Sequence, residues 1–381
     1  MKIRKLLLLF VGLLCTAGPM RAQMMGGPVG ADSLSSAVVP VVSYSSIEGL
    51  VGGALYNRYD YRGSVQPFRN YLQSSALVST KGFIEVKARY EQTRSFGQPI
   101  RSIYDLFVQR YTTDIFFGMG NNTRFSESRW DNDYYYFESV ASGLSYKARY
   151  PIYREDRRQL DVMGGAGIEY HIPYISQDNS SFAQEMPNGS SGGWVNYLNT
   201  GLIWENRDSE FDPNSGNYAE LELRYSPDIT SDFSLATTRL ELRQYVQLFN
   251  FVTVANRLEA RHVTGDIPFW ERSTLGGQNN LRGYPLNRFQ GQTSLAYSLE
   301  LRAWILQFPQ LFGLKFGGQL FTDTGRVFTK NDDFNDIFSG YKQTVGIGGA
   351  MSVFNPDFIL RGEIGFSNEV SRIYIGVGYL F

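Results

Sequence analysis

Few side chains in this chain of 381 residues are of the types that do covalent or metal chemistry. Gly189-Ser190-Ser191-Gly192-Gly193 matches the G-x-S-x-G pattern of a nucleophilic serine. Such a serine works on a strand-to-helix elbow, whereas Ser191 sits in the polar run NSSFAQEMPNGSSGG, which reads as a loop. His171 and His262 are the two histidines and lie far apart in sequence. Without carboxylates at helix spacing they do not compose a metal site. A membrane-embedded hydrolase needs a histidine paired with an acid or a serine, and His262 beside Arg261 reads as an ordinary strand-end residue. Gly276-Gly277-Gln278 is not followed by the lysine pair of a phosphate loop. The expectation is a chain with no catalytic residue, no cofactor and no metal, and hence not an enzyme. Arg282 is different. In GGQNNLRGYPLNRFQG, residues 276–291, it stands between a glycine-rich run and Tyr284. A guanidinium there is suited to bidentate pairing with carboxylates.

The elements that must position Arg282 are strands. The N-terminus MKIRKLLLLFVGLLCTAGPMRAQ has a basic start and a short apolar core, so residues 1–22 read as a secretory signal peptide rather than a membrane span. Leucine directly before Cys15 fits a lipoprotein signal badly, and without Cys15 the mature chain holds no cysteine for a disulfide or metal site. The formal net charge of −1 gives no electrostatic case for nucleic acid. High counts of Gly (39), Tyr (25) and Phe (27) without a long apolar run suit a transmembrane β-barrel. Strict alternation repeats along the chain. Glu220, Glu222 and Arg224 alternate with Leu221, Leu223 and Tyr225, and Ser298, Glu300 and Arg302 alternate with Leu299 and Leu301. Ile373, Ile375, Val377, Tyr379 and Phe381 share one face of a last strand at 372–381. Period-2 patterning with charges of both signs on one face predicts lumen-facing and lipid-facing sides.

The pattern predicts an all-β, antiparallel transmembrane barrel of about sixteen strands, the first at 44–59 and the fifth at 114–122. Residues 23–43 are expected as a periplasmic linker or short plug, and residues 44–381 as the barrel. Short links such as Ser79-Thr80-Lys81-Gly82 are expected at the periplasmic end, and the long segments 173–193 and 264–292 at the outer end.

Three stretches occur in order: WENRDSEFDPNSGNY at 204–218, LRGY at 281–284 and FTDTGRVF at 321–328. With a terminal phenylalanine they resemble the outer-membrane barrel superfamily of BamA-type and TamA-type assembly factors, FhaC-type secretion pores and bacterial surface antigens. The resemblance spans essentially the mature chain. It implies sixteen strands, with Leu281, Arg282, Gly283 and Tyr284 as the tip of a long loop folded into the lumen before the twelfth strand. It implies that Asp323, with Phe321 and Gly325 in F-x-D-x-G on the thirteenth strand, holds Arg282. Glu300, on the polar face of the strand before it, is a second acid for that role. It also implies a weakly paired seam between first and last strands, for which Gly49, Gly52, Gly53, Gly376 and Gly378 are candidates, and a C-terminal assembly signal at Tyr379 and Phe381. The sequence departs from assembly factors in showing no periplasmic POTRA module in its short N-terminal segment. The function implied is insertion or translocation of proteins at the bacterial outer membrane, the alternative being a passive or gated channel or surface antigen. The implied partners are the outer-membrane bilayer, client outer-membrane proteins or a separate periplasmic protein, and machinery that recognises the C-terminal strand.

Overall fold

In the wall strands the apolar side chains face out and the charged ones face in, the reverse of a water-soluble domain. In the strand Gly216–Ser226, Leu221, Leu223 and Tyr225 are exposed while Glu220 is buried. A computed structural model describes residues 34–45, 49–63, 65, 67–311, 313–352 and 358–381. The expected signal peptide at 1–22 and residues 23–33 of the expected linker lie outside the described residues. No helix among the described residues is long and apolar enough to cross a membrane.

In chain order the strands are β1 Leu34–Ser45, β2 Gly49–Asp60, β3 Asn70–Ser79, β4 Ile84–Ser95, β5 Ile100–Ile115 and β6 Tyr136–Glu155. They continue with β7 Arg158–Tyr174, β8 Gly193–Glu205, β9 Gly216–Ser226, β10 Leu235–Phe249, β11 Val252–Gly265, and a short pair, β12 Ser273–Leu275 and β13 Phe289–Gly291. The chain closes with β14 Thr293–Phe308, β15 Leu314–Phe328, β16 Lys342–Ser352, β17 Ile359–Phe366 and β18 Ser371–Val377. All but β12 and β13 form one 16-stranded sheet in sequence order, each antiparallel to the next, with β11 pairing β14. The order runs from β1 to β18 with no ladder joining these two among the described residues. Thus β14 is the twelfth wall strand and β15 the thirteenth.

The sixteen strands differ from the expected ones in two places. Residues 34–43, expected as linker or plug, form most of β1. Pro40 interrupts the apparent pattern there, yet an edge strand tolerates proline because one side of it is unpaired. Conversely, no strand spans 114–122. Ile115 ends β5, and the chain then turns inward through Gly118, whose φ is +87°.

Three further expectations change as a consequence. Counting β1 reverses the sense of the next strands, so the turn at 79–82 lies at the same end as the long loops 175–192 and 266–292, not opposite them. Gly49, Gly52 and Gly53 belong to β2, one strand in from the edge, so the N-terminal edge of the seam carries no glycine. Finally, the last strand stops at Val377 rather than at the terminal aromatic residue. Gly376 is within it, but Gly378 takes a φ of +79° and turns the tail away from the wall. Phe381 therefore does not share the outer face with Ile375. It is buried, with its ring 6.4 Å from Tyr245 and its backbone oxygen accepting from Arg302 Nη2 at 2.9 Å. Tyr379 lies over the Arg302 guanidinium at 4.2 Å.

Candidate functional site

The segment 266–292 between β11 and β14 does not extend away from the barrel. Its two limbs pair as β12 and β13, with Ser273 opposite Gly291 and Leu275 opposite Phe289. Asn280 fastens the turn: its Oδ1 accepts from the backbone N of Gly276 (2.9 Å) and of Leu281 (2.7 Å). Leu275, Leu281, Tyr284 and Phe289 pack with Ala296 and Val327 of the wall in a buried apolar cluster. Such a cluster inside a charged lumen gives the loop a core of its own.

At the tip, the Arg282 side chain has no solvent exposure. Asp323 takes it bidentately, Oδ2 accepting from Nε at 2.9 Å and Oδ1 from Nη2 at 2.8 Å, and Oδ2 also accepts from the backbone N of Arg282 at 3.0 Å. Arg282 Nη1 lies 2.6 Å from Glu300 Oε1 and 2.8 Å from Glu363 Oε1. Its Cζ stands 3.5 Å above the Phe321 ring. Three carboxylates around one guanidinium require further cations. Arg302 Nε is 2.8 Å from Glu300 Oε2, and Arg361 Nε is 3.5 Å from Glu363 Oε2. Three arginines and three acids thus balance, which a partly dry lumen demands of buried charge.

Strand periodicity explains the arrangement. Phe321, Asp323 and Gly325 are two apart on β15 and so share its inner face. The first gives the guanidinium a π-surface and the second its acid. At Gly325 an added Cβ would lie 2.9 Å from Leu275 Cδ1, so the missing side chain makes room for the loop. Gly283 has a φ of +105°, a region open to glycine. It presses so closely on Gly365 of β17 that a Cβ on Gly365 would meet the Gly283 nitrogen at 2.7 Å. The hydroxyl of Tyr374 on β18 accepts from the backbone N of Gly283 at 2.9 Å, and the Tyr284 hydroxyl donates to Asn368 Oδ1 at 2.6 Å. The tip therefore rests on the last strands before the seam.

Two groups at this site escape sequence reasoning. Glu363 was visible only as one of several acids on polar strand faces. Arg288, in the same quoted loop, is fully buried and chelated by Glu369 (2.6 and 2.7 Å) while donating to Thr123 Oγ1 and O (2.6 and 2.7 Å). Its signal was its place in the loop, but its partners come from two other loops.

The candidates for catalysis are scattered. His171 stacks on Trp270 at 4.9 Å, whereas His262 is exposed and meets Thr293 Oγ1 at 2.7 Å. Ser191 lies in a turn before β8, away from any strand-to-helix elbow. Among the described residues no cluster of His, Cys, Asp and Glu could hold a metal ion.

Residues 70–381 match the Omp85 superfamily domain. No curated protein sequence matches the chain. Among solved structures, BamA from Haemophilus ducreyi lacking POTRA domains 1–3 is similar, with TM-score 0.56 and 13% identity over 91% of this chain and 70% of that one. CdiB from Escherichia coli gives TM-score 0.59 and 11% identity, covering 90% of this chain and 62% of its own. CdiB from Acinetobacter baumannii gives TM-score 0.52 and 12% identity, covering 91% and 60%. This chain thus spans less than two thirds of either CdiB chain. At such identities the likeness is one of fold. With the family domain matched over most of its length, the chain belongs to the Omp85 superfamily and is a bacterial outer-membrane β-barrel protein.

Proposed function

We propose that this barrel promotes the insertion or translocation of client proteins at the outer membrane, acting through the seam between β1 and β18. The observation that carries the reading is the position of the loop tip. Arg282 is tied to Asp323, Glu300 and Glu363, and Gly283 to Tyr374, so the loop stiffens the strands that lead to one edge of the open sheet. A rigid wall on one side of an unpaired edge lets that edge offer its free backbone groups to another strand. The clients are unfolded outer-membrane barrels, and a separate periplasmic protein delivers them. Insertion of such a client into vesicles carrying the purified protein tests the reading. A rate no higher than in empty vesicles counts against it.

A second reading is a gated channel or surface antigen, favoured by the turn at residues 206–215 that reaches into the lumen. Conductance that rises on Arg282→Ala while client insertion stays at the empty-vesicle rate would favour that reading.

A further inference from the structure

At the short-turn end of the barrel, residues 206–215 between β8 and β9 reach inward and touch walls on both flanks. On the N-terminal flank, the Phe211 ring lies 5.3 Å from Tyr59, 6.2 Å from Phe68 and 5.7 Å from Tyr71. Glu210 accepts from Arg101 Nη1 and Nη2 at 2.7 and 2.9 Å. On the C-terminal flank, Asp212 Oδ2 accepts from Trp304 Nε1 at 2.9 Å, and Asn214 Oδ1 accepts from Thr253 Oγ1 at 2.7 Å. The Trp304 ring in turn meets Tyr379 of the inward-turned tail at 6.3 Å. One turn thus joins β2, β3 and β5 to β11 and β14, strands that the sheet itself connects only the long way round through β8 and β9.

The turn is stiff within itself. Asp208 Oδ1 accepts from the backbone N of Asn214 at 2.9 Å and of Ser215 at 3.2 Å, and Ser209 Oγ accepts from the backbone N of Phe211 and of Asp212 at 3.2 and 3.1 Å. Its own strands hold it through Arg207, which pairs with Glu205 and lies over the Tyr218 ring, but among the described residues the two flanks hold it only through the Phe211 aromatic cluster, the Glu210–Arg101 pair and the hydrogen bonds of Asp212 and Asn214. Attachments to the flanks as sparse as these part locally more readily than the ladders between wall strands. Beside it lies a cavity of about 980 Å³, lined by Arg94, Arg149, Arg154, Arg157 and Asp161, which gives it room to move.

We propose that residues 206–215 form an internal brace that closes this mouth of the barrel and holds its two flanks together, and that release of the brace opens the lumen there. Phe211 and Glu210 anchor one end, and Asp212 the other. The proposal rests on the barrel's geometry and is independent of the insertion reading, because its readout is ion flow and not client folding.

Conductance across planar bilayers tests it. Phe211→Ala/Asp212→Ala, shown to be folded by its heat-dependent gel mobility, is expected to conduct more or to open more often than wild type. Wild-type conductance in this folded variant would overturn the proposal. A second measurement serves if that variant does not fold. Asp212→Cys/Trp304→Cys lacks the hydrogen bond and is expected to show the raised conductance. Closing the pair with a short cleavable thiol cross-linker is expected to abolish the rise, and cleavage to restore it. Conductance indifferent to cross-linking would overturn the gate.

Discussion

Asp323→Ala is the substitution whose consequences the geometry fixes best. Asp323 accepts three hydrogen bonds from Arg282, two from the guanidinium and one from the backbone. With the arginine fully buried, the stranded charge has no water to turn to. Breaking a buried pair from one side costs about 3–5 kcal/mol. Glu300 and Glu363 still face Nη1 at 2.6 and 2.8 Å, which puts the expected loss at the lower end, about 3 kcal/mol. At about 1.4 kcal/mol per decade, the loop-released population rises by roughly two orders of magnitude. The barrel wall itself remains, since its ladders do not pass through this residue's side chain. Hydrogen exchange of the amides at 276–291 in the folded protein reads the change directly. Arg282→Met combined with Asp323→Leu restores the charge balance among Arg302, Arg361, Glu300 and Glu363, so the double variant should protect the loop better than Asp323→Ala alone. Removing both members of a buried pair is far less damaging than removing one. Unchanged exchange in Asp323→Ala, or strictly additive effects across the cycle, would refute the reasoning.

Other outcomes follow from the same contacts. Gly346→Ala places a Cβ 2.0 Å from Phe321 Cζ, so overpacking should cost about 1–3 kcal/mol in a urea titration of the folded barrel and tilt the ring beneath Arg282. Gly365→Ala drives a methyl into the loop tip, 2.7 Å from the Gly283 nitrogen, and should raise protease cleavage near residue 283 without abolishing folding. Arg288→Ala leaves Glu369 and Thr123 without their shared donor, and hydrogen exchange should rise at 284–292 and at 367–370 together. Leu221→Arg, in the outward row with Leu202 and Leu240, should destabilise the barrel in lipid by roughly 2–4 kcal/mol if it lies near the bilayer midplane, as measured by folding titrations in vesicles.

How much of this was legible in the sequence depends on the range of the interaction. Alternation is local, so the inward and outward faces of β9, β10 and β14 could be read directly. The expected and observed strand numbers agree at sixteen although β1 reads as linker, because the tail of β5 and the turn after it read as a strand. Pro40 hid β1, and Phe116-Phe117 before Gly118 imitated a strand at the end of β5. That exchange misplaced the turn at 79–82 and put Gly49, Gly52 and Gly53 on an edge they do not occupy. At the loop, Arg282, Asp323 and Glu300 were named from sequence, and the structure brings them together. Glu363 lies 81 residues from Arg282 on a strand with no distinguishing pattern. Which inward acid reaches a given loop depends on the curvature of the wall, which no short window of sequence encodes. The turn of the tail at Gly378 was hidden for a different reason: alternation of side chains says nothing about where a strand stops.

The most direct test of the central claim, that an arginine-pinned lumen loop supports client insertion, is the rate at which an unfolded outer-membrane barrel folds into vesicles. Wild-type protein, Asp323→Ala and the Arg282→Met/Asp323→Leu pair are compared with empty vesicles. Wild type is expected to accelerate folding, Asp323→Ala to lose that acceleration and the double variant to recover part of it. Equal rates in all four preparations would overturn the claim.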